Sequence, residues 1–133
     1  KFSPHIEQGE RDYSFKIDFG KRYKILNNAS RFAQHFNVKP MALSFYPSAI
    51  GSKPQAPVSI INNNIINITA LKKAEIGDGY IIRLFNPVED EQKATLRIEN
   101  AESEIKFGAF EIKTFRYSDG DIIESNLLEN LLD

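Results

Sequence analysis

The sequence predicts a mostly β fold, namely an antiparallel β-sandwich of about seven or eight short strands with one helix near residues 22–36. Three observations lead to this prediction. Apolar and polar residues alternate with a period of two in several short segments, as in strands with one buried face. Asn, Asp, Gly and Pro residues separate these segments at short intervals. A single stretch has its apolar residues at helical spacing.

The N-terminal part, residues 1–40, is predicted to contain one strand followed by the helix. In residues 13–19, aromatic residues and Ile17 alternate with Ser14, Lys16 and Asp18, so we expect a strand with one buried face. Asn37 is expected to end the helix that follows. The apolar stripe of this helix consists of Ile25, Ala29, Phe32, Ala33 and Phe36.

The central part, residues 41–124, is predicted to contain the main sheets. Residues 41–46 predict a short strand, and residues 47–57 a loop rich in Pro, Gly and Ser. Two further strands are expected at residues 58–61 and 65–71. The Asn residues at 62–64 tolerate the left-handed conformations of a tight connection, so we expect a hairpin between these two strands.

Residues 80–86 predict the central strand of a sheet. Both faces of this segment are apolar except at Arg83, which is typical of a strand covered on both sides. The turn Gly77-Asp78-Gly79 precedes it. Asn86-Pro87 is expected to end it, since Pro cannot donate a hydrogen bond to a sheet.

Three more strands are predicted at residues 93–98, 109–117 and 121–124. In the first, Ala94, Leu96 and Ile98 are expected to face inward. In the second, the apolar phase slips, which predicts a bulge or a change of sheet near Thr114. Asp119-Gly120 predicts a turn. The tail, residues 125–133, carries four leucines that need a surface to cover them.

Composition narrows the possible functions. The 133 residues suffice for a single domain over residues 1–133, and 17 basic residues balance 18 acidic ones without a basic cluster, so nucleic acid is not an expected partner. No stretch approaches the roughly 18 apolar residues of a spanning helix, so no membrane partner is expected. The chain has no Cys, which fits a cytoplasmic location. Because it begins with Lys1, we expect a piece of a longer protein.

Residues that could perform hydrolysis or bind a metal are sparse. A catalytic zinc site needs about three protein ligands, whereas the chain has only His5 and His35, both expected at the surface. Most acidic residues stand in predicted turns, where solvation explains them. No serine lies in a G-x-S-x-G motif. We therefore assign no catalytic, cofactor-binding or metal-binding residue.

Arg83 is the most unusual single residue. Its guanidinium group stays charged, so in a strand covered on both faces it needs a carboxylate or backbone carbonyl groups. Glu111 interrupts the apolar run of another predicted strand, and one interpretation pairs these two residues. The alternatives are that Arg83 lies near the strand edge and reaches water, or that it binds a ligand.

Five phrases stand in order along the chain: EQGERDYSF at 7–15, MALSFYP at 41–47, ALKKAEIGDGYIIRLFNP at 70–87, FEIKTF at 110–115 and ESNLLE at 124–129. Together they resemble the C-terminal region of glycoside hydrolase family 38, the α-mannosidases, especially the bacterial branch. The similarity extends over nearly the whole chain.

The resemblance implies that the parent protein is a zinc-dependent retaining α-mannosidase of carbohydrate catabolism. In that family the zinc ligands and catalytic carboxylates lie mainly in an N-terminal barrel and the helical segment after it, so none is transferred to this chain. The chain is expected to be a non-catalytic C-terminal domain whose partners are the N-terminal catalytic domains of the same polypeptide. A mannose-containing oligosaccharide is the expected substrate of the parent.

Arg83, Asn86 and Glu111 are the family-like polar positions, expected to be structural or to face the cleft. The alternative function is a free-standing carbohydrate-binding or adhesin-like sandwich. Such a module needs exposed aromatic residues on a concave face, where they stack on sugar rings.

Overall fold

A computed structural model describes residues 10–39 and 57–132. Within these residues the chain forms one helix and seven strands in two antiparallel sheets, which confirms the predicted mostly β, sandwich-like fold. The elements are α1 (Arg22–Asn37), β1 (Val58–Ile61), β2 (Asn67–Lys73), β3 (Tyr80–Phe85), β4 (Gln92–Ile98), β5 (Ala101–Phe107), β6 (Ile112–Ser118) and β7 (Asp121–Ser125).

The strands divide into a three-stranded sheet in the order β1-β4-β5 and a four-stranded sheet in the order β2-β3-β6-β7. As predicted, β3 is an interior strand, between β2 and β6. Ile81 and Ile82 are neighbours in β3 and both are fully buried. Because neighbouring side chains of a strand point to opposite faces, β3 is covered on both sides.

The hydrophobic core lies between the two sheets. Leu96 of β4, Ile82 and Leu84 of β3 and Phe107 of β5 are almost completely buried in it. Full burial of one such side chain stabilises the fold by about 1.5–3 kcal/mol. In β4, Ala94, Leu96 and Ile98 face this core, as the alternation predicted.

The outer faces of the two sheets differ in character. The three-stranded sheet presents charged residues, such as the cross-strand ion pair of Arg97 and Glu102, with Nη2 2.5 Å from Oε1. On the four-stranded sheet, Thr114 and Ser125 are buried because the chain after β7 folds back over that side. Leu131 forms a bridge with Ser125. We call residues 126–130 the C-terminal lobe.

Residues 13–19 do not form a strand, so this prediction is wrong for the structure described. The alternation of apolar and polar residues is present, but a strand also needs a neighbour for its backbone N–H and C=O groups. No strand within residues 10–39 and 57–132 supplies one. The helix prediction is confirmed, and α1 ends at Asn37 as expected.

The predicted hairpin at residues 62–64 is also wrong, because β1 pairs with β4 while β2 belongs to the other sheet. The turn carries the chain from one sheet to the other. The Asn63 side-chain oxygen accepts from the backbone N–H groups of Ile65 at 2.7 Å and Ile66 at 3.1 Å. Its side-chain nitrogen donates to the Lys93 carbonyl at 3.0 Å, which ties the turn to β4.

Two other turns were predicted correctly. The Gly77-Asp78-Gly79 turn joins β2 and β3 as a hairpin, with positive φ angles of 72° at Gly77 and 115° at Gly79. Asp119 and Gly120 connect β6 to β7, again with positive φ angles.

The phase slip predicted a bulge or a change of sheet near Thr114. Neither occurs, because β6 stays in the four-stranded sheet and pairs with β3 and β7 in continuous register. The slip arises because Phe110 lies before β6, in a turn with φ 52°, and because Ile112 is exposed on the face of β6 opposite Phe115. The irregularity in the four-stranded sheet lies in β2, between Ile68 and Ala70. β5 was not predicted. Its inward-facing residues include Ala101, which is small, and Ser103, which is polar, so the alternation of apolar and polar residues is weak there.

The predicted strand at residues 41–46 and nearly all of the predicted loop at residues 47–57 lie outside the described residues. Among the helices that are described, none combines the length and apolar character needed to cross a membrane.

Candidate functional site

The three polar positions singled out in the sequence occupy two places. Asn86 and Glu111 lie together at one end of the sandwich, where the Asn86 backbone N–H donates to the Glu111 carbonyl at 2.9 Å. Arg83 lies on the outer face of the four-stranded sheet, beneath the C-terminal lobe.

The side chain of Asn86 joins two loops at that end of the sandwich. It is fully buried. Its amide nitrogen donates to the carbonyls of Asp90 at 2.9 Å and Gly108 at 2.7 Å, and its oxygen accepts from the Val88 N–H at 3.3 Å. A buried amide with its hydrogen bonds satisfied fixes the geometry of the loops it connects. Asn86 is therefore a structural clamp.

Glu111 is bonded locally and does not pair with Arg83. Its Oε2 accepts from the Gly108 N–H at 2.6 Å, and its Oε1 lies 3.8 Å from Lys113 Nζ. The predicted pair is wrong because Glu111 precedes β6 and turns its carboxylate back toward the 108–111 turn.

Arg83 is half-buried and bonds to uncharged oxygens. Its Nε donates to Thr114 Oγ1 at 3.3 Å, and its Nη2 donates to the Leu127 carbonyl at 3.2 Å. Arg83 lines a cavity of about 290 Å³ between the sheet and the C-terminal lobe. Its hydrogen bond to the Leu127 carbonyl attaches the lobe to β3.

Glu129 is the main contact of the lobe that the sequence did not single out. Its carboxylate accepts from the Glu75 backbone N–H at 2.9 Å and lies 2.5 Å from Lys72 Nζ. The backbone hydrogen bond, followed by the one from Lys72, lowers the pKa of Glu129. The hydrogen bond with Glu129, followed by that with Glu75, raises the pKa of Lys72.

A sequence signal for this lobe does exist at Asn126. Its side-chain oxygen accepts from the N–H groups of Leu128 at 2.9 Å and Asn130 at 3.0 Å, as turn-forming Asn residues do. Because Asn is a common turn residue, Asn126 could have predicted a compact lobe. It could not have predicted that Glu129 would reach Lys72, which is distant in sequence.

The helix α1 rests on the end of the sandwich that Asn86 organises. Arg22 Nη2 lies 3.3 Å from Glu89 Oε1, and Ser30 Oγ accepts from Asn67 Nδ2 at 2.5 Å. A groove of about 400 Å³ separates the helix from residues 87–90 and Phe110. No residue of α1 is buried, and Phe110 is exposed. This end of the molecule therefore presents apolar surface to its surroundings.

The described residues do not form a site for the zinc ion that the family resemblance implies for the parent enzyme. Within residues 10–39 and 57–132, no group of three or more His, Asp or Glu side chains is placed to hold a metal ion. His35 lies in the last turn of α1 and is exposed, and His5 lies outside the described residues.

The sequence of this sandwich matches a known protein family. The model of the glycosyl hydrolases family 38 C-terminal beta sandwich domain matches residues 66–132, half of the 133 residues. The chain belongs to glycosyl hydrolase family 38. The matched part of this family 38 domain contains β2 to β7 and the C-terminal lobe, while α1 and β1 precede the match. No curated protein and no solved structure matches the chain.

Proposed function

We propose that the chain is a non-catalytic C-terminal domain of a zinc-dependent retaining α-mannosidase and that it supports the catalytic barrel of the same polypeptide. The family match over residues 66–132 carries the proposal, since it assigns the sandwich to the C-terminal part of a family 38 protein. The catalytic domains of that polypeptide are the proposed partners, and a mannose-containing oligosaccharide is the proposed substrate of the whole enzyme.

The distribution of apolar side chains supports a docking role. The outer face of the three-stranded sheet carries charged residues such as the Arg97–Glu102 pair. By contrast, the helix side exposes Tyr23, Leu26 and Phe110, and the lobe exposes Leu127 and Leu128. These side chains form two groups, one beside α1 and one on the lobe, and grouped exposed apolar side chains are typical of interaction sites.

The alternative of a free-standing carbohydrate-binding module finds little support in the sandwich. In residues 57–132 the exposed large aromatic side chains are Tyr80 and Phe110. Tyr80 begins β3, whereas Phe110 lies beside the other end of that strand. At about 3.3 Å per residue the two ends are roughly 17 Å apart. They do not form the continuous aromatic platform on which sugar rings stack.

The whole polypeptide that contains this chain tests the proposal. It should hydrolyse an aryl α-mannoside with retention of the anomeric configuration, observed by NMR of the first-formed sugar. Chelation should abolish this turnover, and added zinc should restore it. Aryl β-mannoside and aryl α-glucoside are the matched control substrates. A whole polypeptide that does not cleave the aryl α-mannoside, whether or not it cleaves a control glycoside, would refute the proposed activity.

A further inference from the structure

The C-terminal lobe is attached to the outer face of the four-stranded sheet by polar contacts. Arg83 of β3 donates to the Leu127 carbonyl at 3.2 Å. The Glu129 carboxylate lies 2.5 Å from Lys72 Nζ and accepts from the Glu75 N–H at 2.9 Å. Groups of this kind exchange their protein partners for water when a segment detaches, so the net contribution of each contact is modest.

After the lobe, the chain returns to the edge of β7. Leu131 forms a bridge with Ser125, and the Leu132 N–H donates to the Glu124 carbonyl at 3.1 Å. Residues 126–132 therefore contact the sheet both through the lobe and through the two residues that follow it. We call residues 126–132 the C-terminal strap.

The C-terminal strap buries little apolar surface. The exposed fractions of its leucines are 58% for Leu127, 82% for Leu128, and 51% each for Leu131 and Leu132. Burial of apolar side chains is the main favourable term in folding. Segments that bury few of them open at a lower free energy than the core of the same protein. The strap is therefore expected to open more readily than the sandwich unfolds.

The hydrogen bonds within the strap make it a unit. The Asn126 N–H donates to the Asn130 carbonyl at 2.8 Å, and the Glu129 N–H donates to the Asn126 carbonyl at 3.0 Å. The Asn126 side-chain oxygen also accepts from the N–H groups of Leu128 and Asn130. Detachment from the sheet leaves these bonds intact. The strap can therefore turn as one piece about the link between Ser125 and Asn126.

Beneath the strap lies a hydroxyl group without a partner. Ser125 is only 3% exposed, and its Oγ forms no hydrogen bond within the described residues. A buried hydroxyl without a partner is less favourable than the same hydroxyl in water. Opening of the strap would hydrate this group. Ser125 therefore favours the open state, whereas the contacts of Glu129 favour the closed state.

We propose that the C-terminal strap opens and closes as a unit while the sandwich stays folded, with Ser125 biasing it toward opening and Glu129 holding it closed. Opening frees the Arg83 guanidinium group and the outer edge of β7, where Leu131 is bridged in the closed state. This conformational device goes beyond the proposed enzymatic function and does not depend on it.

Hydrogen exchange of the purified chain, residues 1–133, tests the opening. The amides of Glu75 and Leu132 bond between the strap and the sheet, so both should report one opening equilibrium. After correction for intrinsic rates, both should exchange at least about 10-fold faster than the amides of Ile82 and Leu84 in the core. Exchange of the two amides only as slowly as the core would overturn the proposal. Different opening equilibria for the two amides would also overturn it.

A serine variant tests the bias toward opening. Ser125→Ala removes the unpartnered hydroxyl, so exchange of the Glu75 and Leu132 amides should slow by about 10-fold. The matched control is Ser118→Ala, beside the turn between β6 and β7, which should leave both rates unchanged. Unchanged rates in Ser125→Ala, or equal slowing by the two variants, would contradict the role of Ser125.

A second pair of variants tests what holds the strap closed. Glu129→Gln should speed exchange of the Leu132 amide by about 5-fold to 10-fold, although that amide bonds to Glu124 and not to Glu129. Glu75→Gln is the control and should have a smaller effect, because the Glu75 side chain is largely exposed. An effect of Glu75→Gln that equals or exceeds that of Glu129→Gln would contradict the role of Glu129.

Discussion

Glu129 of the C-terminal lobe and Lys72 of β2 form an ion pair, with Nζ 2.5 Å from Oε1. The Glu129 side chain is 11% exposed, so this carboxylate is more shielded from solvent than most acidic groups on a small domain. The pair and the hydrogen bond from the Glu75 N–H together attach the lobe to the outer face of the four-stranded sheet.

Glu129→Gln should lower the free energy of unfolding at pH 7. This loss of stability should be smaller at acidic pH. The pKa of Glu129 is lowered from its ordinary value of 4.5, so its contribution is present above that pH. The contribution is lost as the pH falls through the folded-state pKa. Urea unfolding of both proteins at pH 7 and pH 3 measures the effect. A difference that stays the same at both pH values would contradict this assignment.

Glu75→Gln is the control for this experiment. Glu75 also contacts Lys72, with Nζ 2.7 Å from Oε1, but its side chain is largely exposed. Exposed pairs contribute little. We therefore expect a smaller loss than for Glu129→Gln at pH 7.

Asn86→Ala should destabilise the domain by about 2–3 kcal/mol, because it leaves the half-buried Gly108 carbonyl and the buried Val88 N–H without their partner. Urea unfolding measures the loss. The exposed Asn64 serves as the control, and Asn64→Ala should change the stability by less than about 0.5 kcal/mol. Similar losses for the two variants would show that Asn86 is not a clamp.

The sequence predicted those elements whose signals are local. β3 and β4 follow from apolar runs and alternation, and the Gly77–Gly79 hairpin follows from its turn residues. The errors arise where structure depends on distant partners. Residues 13–19 have the pattern of a strand but no neighbouring strand among the described residues, and the turn at residues 62–64 cannot specify which sheet the next strand joins.

In the candidate site, too, the sequence predicted local features but not contacts between residues distant in sequence. The Asn86-Pro87 step marks the end of β3, but the three hydrogen bonds of the Asn86 side chain depend on a loop distant in sequence. Arg83 was recognised as a buried charge that needs partners, yet the partners are Thr114 and the Leu127 carbonyl. Pairing it with Glu111 failed because the φ of 52° at Phe110 places Glu111 in a turn.

A double-mutant cycle tests whether Arg83 and Glu111 interact. Arg83→Met and Glu111→Gln should have additive effects on the free energy of unfolding, with a coupling below about 0.5 kcal/mol, because the two side chains share no contact. The reference cycle is Lys113→Met with Glu124→Gln, whose charged atoms are 2.8 Å apart. That cycle should show a larger coupling. A coupling energy between Arg83 and Glu111 that equals the reference value would show that these two side chains do form a pair.

Gly79→Ala should be more costly than Gly120→Ala by at least about 1 kcal/mol. Both glycines have positive φ, so both variants incur backbone strain of about 1–3 kcal/mol. A Cβ at Gly79 would also lie 2.5 Å from the Tyr117 carbonyl oxygen, whereas one at Gly120 would have no such neighbour within 4 Å. Thermal unfolding of the two variants compares them. Equal Tm values would contradict the close approach of the β2–β3 turn to β6.

The central claim is that this family 38 domain is non-catalytic, and an assay of the purified chain tests it most directly. Residues 1–133, incubated with an aryl α-mannoside and added zinc, should release product at the rate of the reaction without enzyme. The whole polypeptide at the same molar concentration should turn over under the same conditions. Turnover by residues 1–133 above the uncatalysed rate, retained after repurification, would contradict the account.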